Sequence, residues 1–169
     1  RDYFGAGDDF GVSLRYTAEP TPLGTAGGVR QARGFLDEPF VVLSGDGVTD
    51  LDLTDAIAFH RRRGALATLV LKRADNPLDY GVVLTDADGR LRSFHEKPDW
   101  GDVISDTVNT GIYILEPQVL DHIPPDRPCD FGQELFPALV KQGLPVYGYV
   151  MQGYWCDIGD VRAYLQAHA

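Results

Sequence analysis

The sequence predicts an α/β fold, a sheet of mainly parallel strands flanked by helices, and three observations predict it. Short β-rich runs alternate with helical stretches along the whole chain. One run, PFVVLSGD at 39–46, is continuously apolar and stops in turn residues, as a strand buried on both faces does. The 169 residues, 44% of them hydrophobic, suffice for one core and leave little room for a second.

In order, residues 12–17 alternate like a strand, and residues 26–36 read as a helix behind the loop EPTPLGTAGG (19–28). The apolar run at 39–46 is the expected parallel strand. Residues 54–63 form a second helix, with Thr54 as its N-cap and Gly64 where a C-terminal glycine ends it. Residues 65–72 are another buried strand. Residues 80–85 and 91–95 flank DADG, whose Asp-Gly pair signals a hairpin. VNTGIYIL (108–115) is strand-like, 117–122 a short helix, 124–130 a loop and 130–142 a longer helix. Residues 146–151 make a late strand, GYWCDIGD (153–160) a turn, and 161–168 a closing helix. The chain has no internal repeat, low-complexity tract or linker. Arg1 has no methionine before it, and residues 1–3 read as the tail of a helix, so the sequence is expected to be a piece of a longer chain.

Composition removes several function classes. A formal net charge of −10 repels a phosphate polymer, which excludes nucleic acid as a partner but not small phosphorylated molecules bridged to carboxylates by a metal ion. No window approaches the ~18 apolar residues of a membrane span, and no basic-then-apolar signal opens the chain. Cys129 and Cys156 are the only cysteines, and Cys156 sits between Trp155 and Asp157 where a buried thiol is expected; a reduced, cytoplasmic setting fits. The four histidines lack zinc spacing, and no Ser-His-Asp or Cys-His pattern appears.

The chemistry is expected at strand-to-helix corners, because ligands of open α/β sheets bind beyond the carboxyl ends of the strands. VVLSGDG is such a corner. It puts Asp46 at the sheet edge between two glycines, either to meet a metal ion or to cap the turn. Asp157 is a lone acid among aromatic and apolar neighbours. A buried carboxylate must cap, pair or bind a cation, and Asp160 is the better-placed helix cap. In HEKP, Glu96 and Lys97 end a strand before Pro98. Adjacent strand residues face opposite ways, so the two act together only if the chain has already turned there. Lys97 then either reaches a phosphate as a point charge or decorates the surface. Asn109 and Thr110 open an apolar strand and serve either a hydroxylated ligand or a neighbouring backbone group. Asp50-Leu51-Asp52 is an Asp-x-Asp that either holds a divalent ion or supplies solvated acids at a helix N-terminus.

Taken together and in order, EPTPLGTAGG, VVLSGDGVTDLDL, DYGVV, FHEKP, VNTGIYIL and GYWCDIGDVRAYL resemble the sugar nucleotidyltransferases, or nucleoside-diphosphate-sugar pyrophosphorylases, over nearly the whole chain. Within that family, SDTVNTGIYILEPQVL and GYWCDIGD are most similar to the bacterial mannose-1-phosphate guanylyltransferases. The resemblance implies a Rossmann-like mixed sheet and transfer of a nucleotidyl group from a nucleoside triphosphate, GTP in the nearest subfamily, to a sugar 1-phosphate, there mannose 1-phosphate, with release of pyrophosphate. It implies that Asp46 and Asp157 hold Mg²⁺ between the two phosphates, that Lys97 binds the sugar phosphate, and that Glu96, Gly81 and Asn109, with Thr110 beside them, contact the sugar. Glu19, Leu23 and Gly24 match the loop that meets the base. Glu19, if it faces the base edge, offers an acceptor pair suited to guanine's N1–H and N2–H. A homo-oligomer is compatible with the resemblance.

Two departures stand out. The family's G-x-G-T-R signature, with its downstream lysine, belongs ahead of residue 1, so residues 1–169 are expected to be a catalytic domain lacking its first strand, loop and helix, and inactive alone. Gly159-Asp160 stands where many relatives have Gly-Thr. Two other functions compete: a metal-dependent glycosyltransferase using Asp50 and Asp52, and a regulatory subunit that binds a nucleotide sugar without turnover.

Overall fold

A computed structural model describes residues 2–99, 101 and 105–168. Its elements are α1 (Gly24–Gln31), β1 (Phe40–Leu43), β2 (Gly47–Thr49), α2 (Leu53–Arg63), β3 (Ala67–Arg73), β4 (Gly81–Thr85), β5 (Leu91–Glu96), β6 (Thr107–Leu115), α3 (Phe136–Lys141), β7 (Val146–Val150), β8 (Trp155–Asp157) and α4 (Val161–Gln166). Six strands form the main sheet in the order β5-β4-β6-β3-β7, with β1 also on β6, and β2 pairs β8 in a separate ribbon.

The expected mixed α/β architecture is present. Among the described strands of the main sheet, β1, β3, β4 and β7 run one way and β5 and β6 the other. The alternation of side chains explains the layers. Leu69 and Leu71 of β3 with Tyr113 and Leu115 of β6 face one core, which Ala26 of α1 and Phe136 and Leu139 of α3 close. Val70, Ile112 and Ile114 face the other side, covered by Ala56 of α2 with Leu53 and Ile57 packed against it. The chain thus reads helix, sheet, helix in section.

Several sequence expectations are corrected. Residues 12–17 form no strand, and Tyr16 is 41% exposed. β1 is half-buried and pairs antiparallel with β6, because β6 inserts between β1 and β3; among the described strands, hydrogen-bonded parallel pairing is confined to β3 and β7. Asp52, not Thr54, caps α2, accepting from Thr54 N at 2.8 Å, while Gly64 ends it in the left-handed conformation as expected. Residues 117–122 are 3₁₀, and the 130–142 helix begins as one π-type turn capped by Asp130. GYWCDIGD is more than a turn, since 155–157 form β8. Cys156 is half-buried; the fully buried thiol is Cys129, and both are free. The expected helix tail includes Arg1, which lies outside the described residues, and residues 2–6 are turns. No helix among the described residues is long and apolar enough to cross a membrane.

What positions the site is a notch in the sheet. β1 and β4 occupy the same edge of β6 in succession: Leu43 ends β1 opposite Ile112, and β4 resumes with Val82 opposite Val108. The gap between them faces residues 109–111. There β6 bulges, with three residues between Asn109 and Tyr113 where β3 has one between Leu69 and Leu71. Gly111 makes this possible with φ +76°, and a Cβ on it would lie 2.9 Å from Ser44 Cβ.

Candidate active site

The notch gathers residues from five strands. On one side, β1 runs out into Ser44-Gly45-Asp46, and the β2–β8 ribbon carries Asp157 beside Asp46. Gly47 is the register partner of Asp157, and Ile158 N donates to the Asp46 carbonyl at 2.8 Å. Ser44 Oγ donates to Asp46 Oδ1. Asp157 Oδ1 is buried and has no hydrogen-bond partner among the described residues, a costly condition for a carboxylate. Burial first, then the Asp46 charge, pushes the Asp157 carboxyl above the ordinary range, with Lys97 pulling the other way. These groups line a cavity of about 140 Å³ with Tyr80, Trp155, Asn109 and Thr110. Trp155 packs edge-on against Tyr80 at 5.4 Å, and its buried Nε1 also lacks a partner.

On the other side of the notch is a cavity of about 390 Å³ that shares Ser44, Asn109 and Gly111 with the first and adds Glu96, Asp130 and Tyr113. Glu96 ends β5, and Lys97 follows with φ +44°, the one non-glycine among the described residues with positive φ. The chain therefore turns at Lys97, and the strain of that conformation is of order 1–3 kcal/mol. Lys97 N donates to Tyr80 O at 3.2 Å. Glu96 as a residue stays exposed, yet its carboxylate nestles on two glycines. A Cβ at Gly81 would lie 2.8 Å from Glu96 Oε2, and one at Gly132 2.6 Å. That local burial, then the Asp130 charge, raises its pKa against the pull of Lys97. Asn109 Nδ2 donates to the Tyr113 hydroxyl at 2.9 Å, and burial pushes that hydroxyl up to about 12.

Behind α1 lies a third cavity, of about 450 Å³, with Thr17, Glu19, Gly24, Thr25 and Gly28 on its walls. Glu19 Oε2 accepts from Leu23 N at 2.9 Å, which holds the EPTPL loop folded onto the helix start. Gly24 must be glycine: its φ is +74°, and a Cβ would lie 2.6 Å from Cys129 O.

Each residue singled out in the sequence thus has a place. Asp46, Asp157, Glu96 and Asn109 line the notch, while Lys97 lines neither cavity but is near enough for its charge to act on Asp157 and Glu96. Gly81 underlies Glu96 and lies outside the cavity walls, so its part is to seat that carboxylate. The Thr110 hydroxyl donates to Val70 O at 2.8 Å, filling the carbonyl that the bulge leaves without a ladder partner. Glu19 and Gly24 line the third cavity, while Leu23 caps α1 and its carbonyl accepts from Cys129 N. Asp50 and Asp52 are engaged by backbone groups. Asp50 Oδ1 accepts from Tyr154 N at 2.7 Å, Asp52 caps α2, and among the described residues no group of three or more His, Cys, Asp or Glu converges. Asp160 caps α4 through Ala163 N at 2.7 Å.

Sequence reasoning passed over Thr25, Tyr113, Asp130 and Gly132. Asp130 carried a legible cap signal ahead of a helix, but its meeting with Thr25, 105 residues away, carries none.

The nucleotidyl transferase family model matches residues 1–169. The chain is 44% identical to a UTP–glucose-1-phosphate uridylyltransferase of Synechocystis sp., over 98% of this chain and 46% of that protein. It is 37% identical to a mannose-1-phosphate guanylyltransferase of Mycobacterium tuberculosis, again over 98% of this chain and 46% of the relative. The chain thus spans about half the length of these curated relatives. In fold it is similar to a putative glucose-1-phosphate thymidylyltransferase from Bacillus anthracis solved in complex with a sucrose, with TM-score 0.86 at 23% identity over 98% of this chain and 68% of that one.

Proposed function

The chain belongs to the nucleotidyl transferase family, and from that membership we propose that it carries the catalytic site of a sugar-1-phosphate nucleotidyltransferase, which joins a nucleoside triphosphate and a sugar 1-phosphate into a nucleotide sugar and pyrophosphate. The observation that carries the reading is Asp157. Its buried, unpartnered Oδ1 stands beside Asp46 at a cavity that opens onto Glu96 and Asn109.

Two carboxylates, with no third His, Cys, Asp or Glu beside them among the described residues, fit an ion that keeps water or substrate oxygens in most of its shell, as Mg²⁺ does. When bound by Asp46 and Asp157, Mg²⁺ would neutralise charge between the two phosphates that must meet. The remaining work falls to the chain. The attacking sugar phosphate is already an anion and needs no general base. Lys97, the cation acting on both Asp157 and Glu96, offsets its charge, while Glu96 and Asn109 orient the sugar hydroxyls. Gly81 and Gly132 seat Glu96, Thr110 stabilises the bulge that exposes Asn109, and the Glu19–Gly24 loop receives the base. Retention of Asp46, Asp157 and Lys97 supports turnover over a non-catalytic binding role.

Two substrate pairs follow from different observations. GTP with mannose 1-phosphate is favoured by the motif resemblance. UTP with glucose 1-phosphate is favoured by the 44% identical relative. Pyrophosphate release by the native protein containing residues 1–169, measured over a matrix of both triphosphates and both sugar phosphates with Mg²⁺ or EDTA, tests the reading. Mg²⁺-dependent release with at least one pair is expected, and no release with any pair overturns it.

A further inference from the structure

Thr25 is the second residue of α1 and stands in the wall of two cavities at once, the one with Glu19 and Gly28 and the one with Glu96 and Asp130. Its hydroxyl is engaged in both directions. Oγ1 donates to Asp130 Oδ2 at 2.7 Å and accepts from Phe131 N at 3.0 Å. The surrounding backbone is tied across the same line. Ala26 N and Gly27 N donate to Cys129 O at 3.0 and 3.1 Å, and Cys129 N donates to Leu23 O at 2.8 Å. The other oxygen of Asp130 accepts from Gly132 N and Gln133 N, so the whole 129–133 segment is referenced to the first turn of α1. That segment in turn sets the larger cavity, because Gly132 underlies Glu96 and the Asp130 charge raises the Glu96 pKa.

Resting on the reading above, we propose that Thr25 is a positioning residue that couples the two substrates: a base seated against the Gly24–Gly28 turn fixes α1, and through the Thr25 hydroxyl fixes Asp130 and the sugar cavity. The side chain touches neither reacting atom. It transmits order, and by linkage the coupling is reciprocal, so sugar phosphate tightens nucleotide binding by the same factor that nucleotide tightens sugar phosphate. A hydrogen bond to a charged partner is worth about a tenfold change in such an equilibrium.

The test uses the native protein containing residues 1–169, with glucose 1-phosphate titrated calorimetrically in Mg²⁺ in the presence and absence of a UTP analogue whose α–β phosphate bridge cannot be cleaved, so that no turnover occurs, and the same with mannose 1-phosphate and the matching GTP analogue. In the wild type the triphosphate should tighten sugar-phosphate binding about tenfold. Thr25→Val, nearly isosteric and at an exposed position, should abolish that enhancement, and Thr25→Ser, which keeps the hydroxyl, should restore it. Wild-type enhancement in Thr25→Val, or no enhancement in the wild type, overturns the coupling. A wild type that binds neither substrate pair instead overturns the proposed function. In that case amide exchange at Phe131, Gly132 and Gln133 still decides whether Thr25 holds the segment: exchange about tenfold faster in Thr25→Val than in Thr25→Ser supports the latch, and equal rates refute it.

Discussion

The aspartate corner and the larger cavity beside it share Ser44, Asn109 and Gly111, yet they are built in opposite ways. In the larger cavity the polar groups are tied to the protein. Asn109 donates to Tyr113, Asp130 accepts from two backbone amides and Thr25, and Glu96 rests on two glycines. At the corner, Asp157 keeps a buried oxygen with no partner, and Trp155 Nε1 does likewise. The difference teaches where binding energy is stored. A cavity with satisfied groups is preorganised and selects shape, whereas a corner with an orphaned carboxylate is held in a state that only a cation relieves.

The sharpest way to break this comparison is to remove the corner. Asp46→Ala and Asp157→Ala in the native protein should each lower kcat by ~10²–10³ or more and be non-additive in combination, since each removes a ligand of one ion. Near-normal turnover of either at limiting Mg²⁺ would dissolve the shared-ion assignment. Asp157→Asn separates function from stability. Because the folded-state pKa of Asp157 is raised, the folded chain binds more protons than the unfolded one above the ordinary carboxylate value, so its ionisation costs stability as pH rises through that window. The amide should therefore raise Tm in EDTA at neutral pH while abolishing turnover, and Mg²⁺ should raise the wild-type Tm and leave that of the variant unmoved. A lower Tm for Asp157→Asn in EDTA would contradict the orphaned-charge account.

Lys97 stands between the two regions. Lys97→Ala is expected to raise KM for the sugar 1-phosphate about ten- to a hundredfold, and KM for the triphosphate far less, because its charge meets the acceptor phosphate. Equal changes in both constants, measured by initial-rate kinetics, would refute this division of labour.

The tied cavity makes its own prediction, smaller in size. Gly132→Ala places a Cβ 2.6 Å from Glu96 Oε2 and 3.0 Å from the Phe94 ring. The carboxylate must move, so KM for the sugar 1-phosphate should rise about tenfold, with overpacking destabilising the fold by about 1–3 kcal/mol in denaturant titrations. An unchanged KM would mean that Glu96 has no fixed task in the cavity.

The smallest effect lies away from both regions and sharpens the contrast by exclusion. His60 is buried on α2 with Nδ1 2.9 Å from Thr68 Oγ1 and Nε2 3.3 Å from Glu116, and burial lowers its pKa against the pull of Glu116. Its stabilisation is present above the ordinary histidine value of 6.5 and is lost as pH falls below it. A falling Tm below pH 6.5 that Thr68→Val alters, with kcat at pH 7.5 unaffected, is expected. A change in kcat would tie this end of α2 to the site.

Local chemistry made much of the fold legible. The glycine at 64, the Asp-Gly hairpin at 88–89, the cap at 160 and the apolar runs of β3 and β6 are decisions within a few residues, and the elements follow them. Strand direction was less legible. PFVVLSGD reads as a buried parallel strand, yet β6, from 67 residues further along the chain, occupies the edge of β1 in the opposite sense. Apolarity reports burial and not orientation.

The candidate site divides the same way. By itself the sequence determined the residue types that matter, because a lone acid in YWCDIGD, a Glu-Lys pair before a proline and an acid between glycines are chemical anomalies visible without coordinates. It also determined that Asp160 would cap the last helix, which left Asp157 for other work. Only the tertiary structure decided which anomalies meet. It turned the chain at Lys97, directly after Glu96, spent Asp50, Asp52 and Thr110 on backbone groups, and brought Thr25 to Asp130. The physical reason is range. Caps, turns and patterning act over a few residues and are written locally, whereas a hydrogen bond between residues 25 and 130, or a glycine at 132 that seats a carboxylate from 96, exists only once the sheet has set its register.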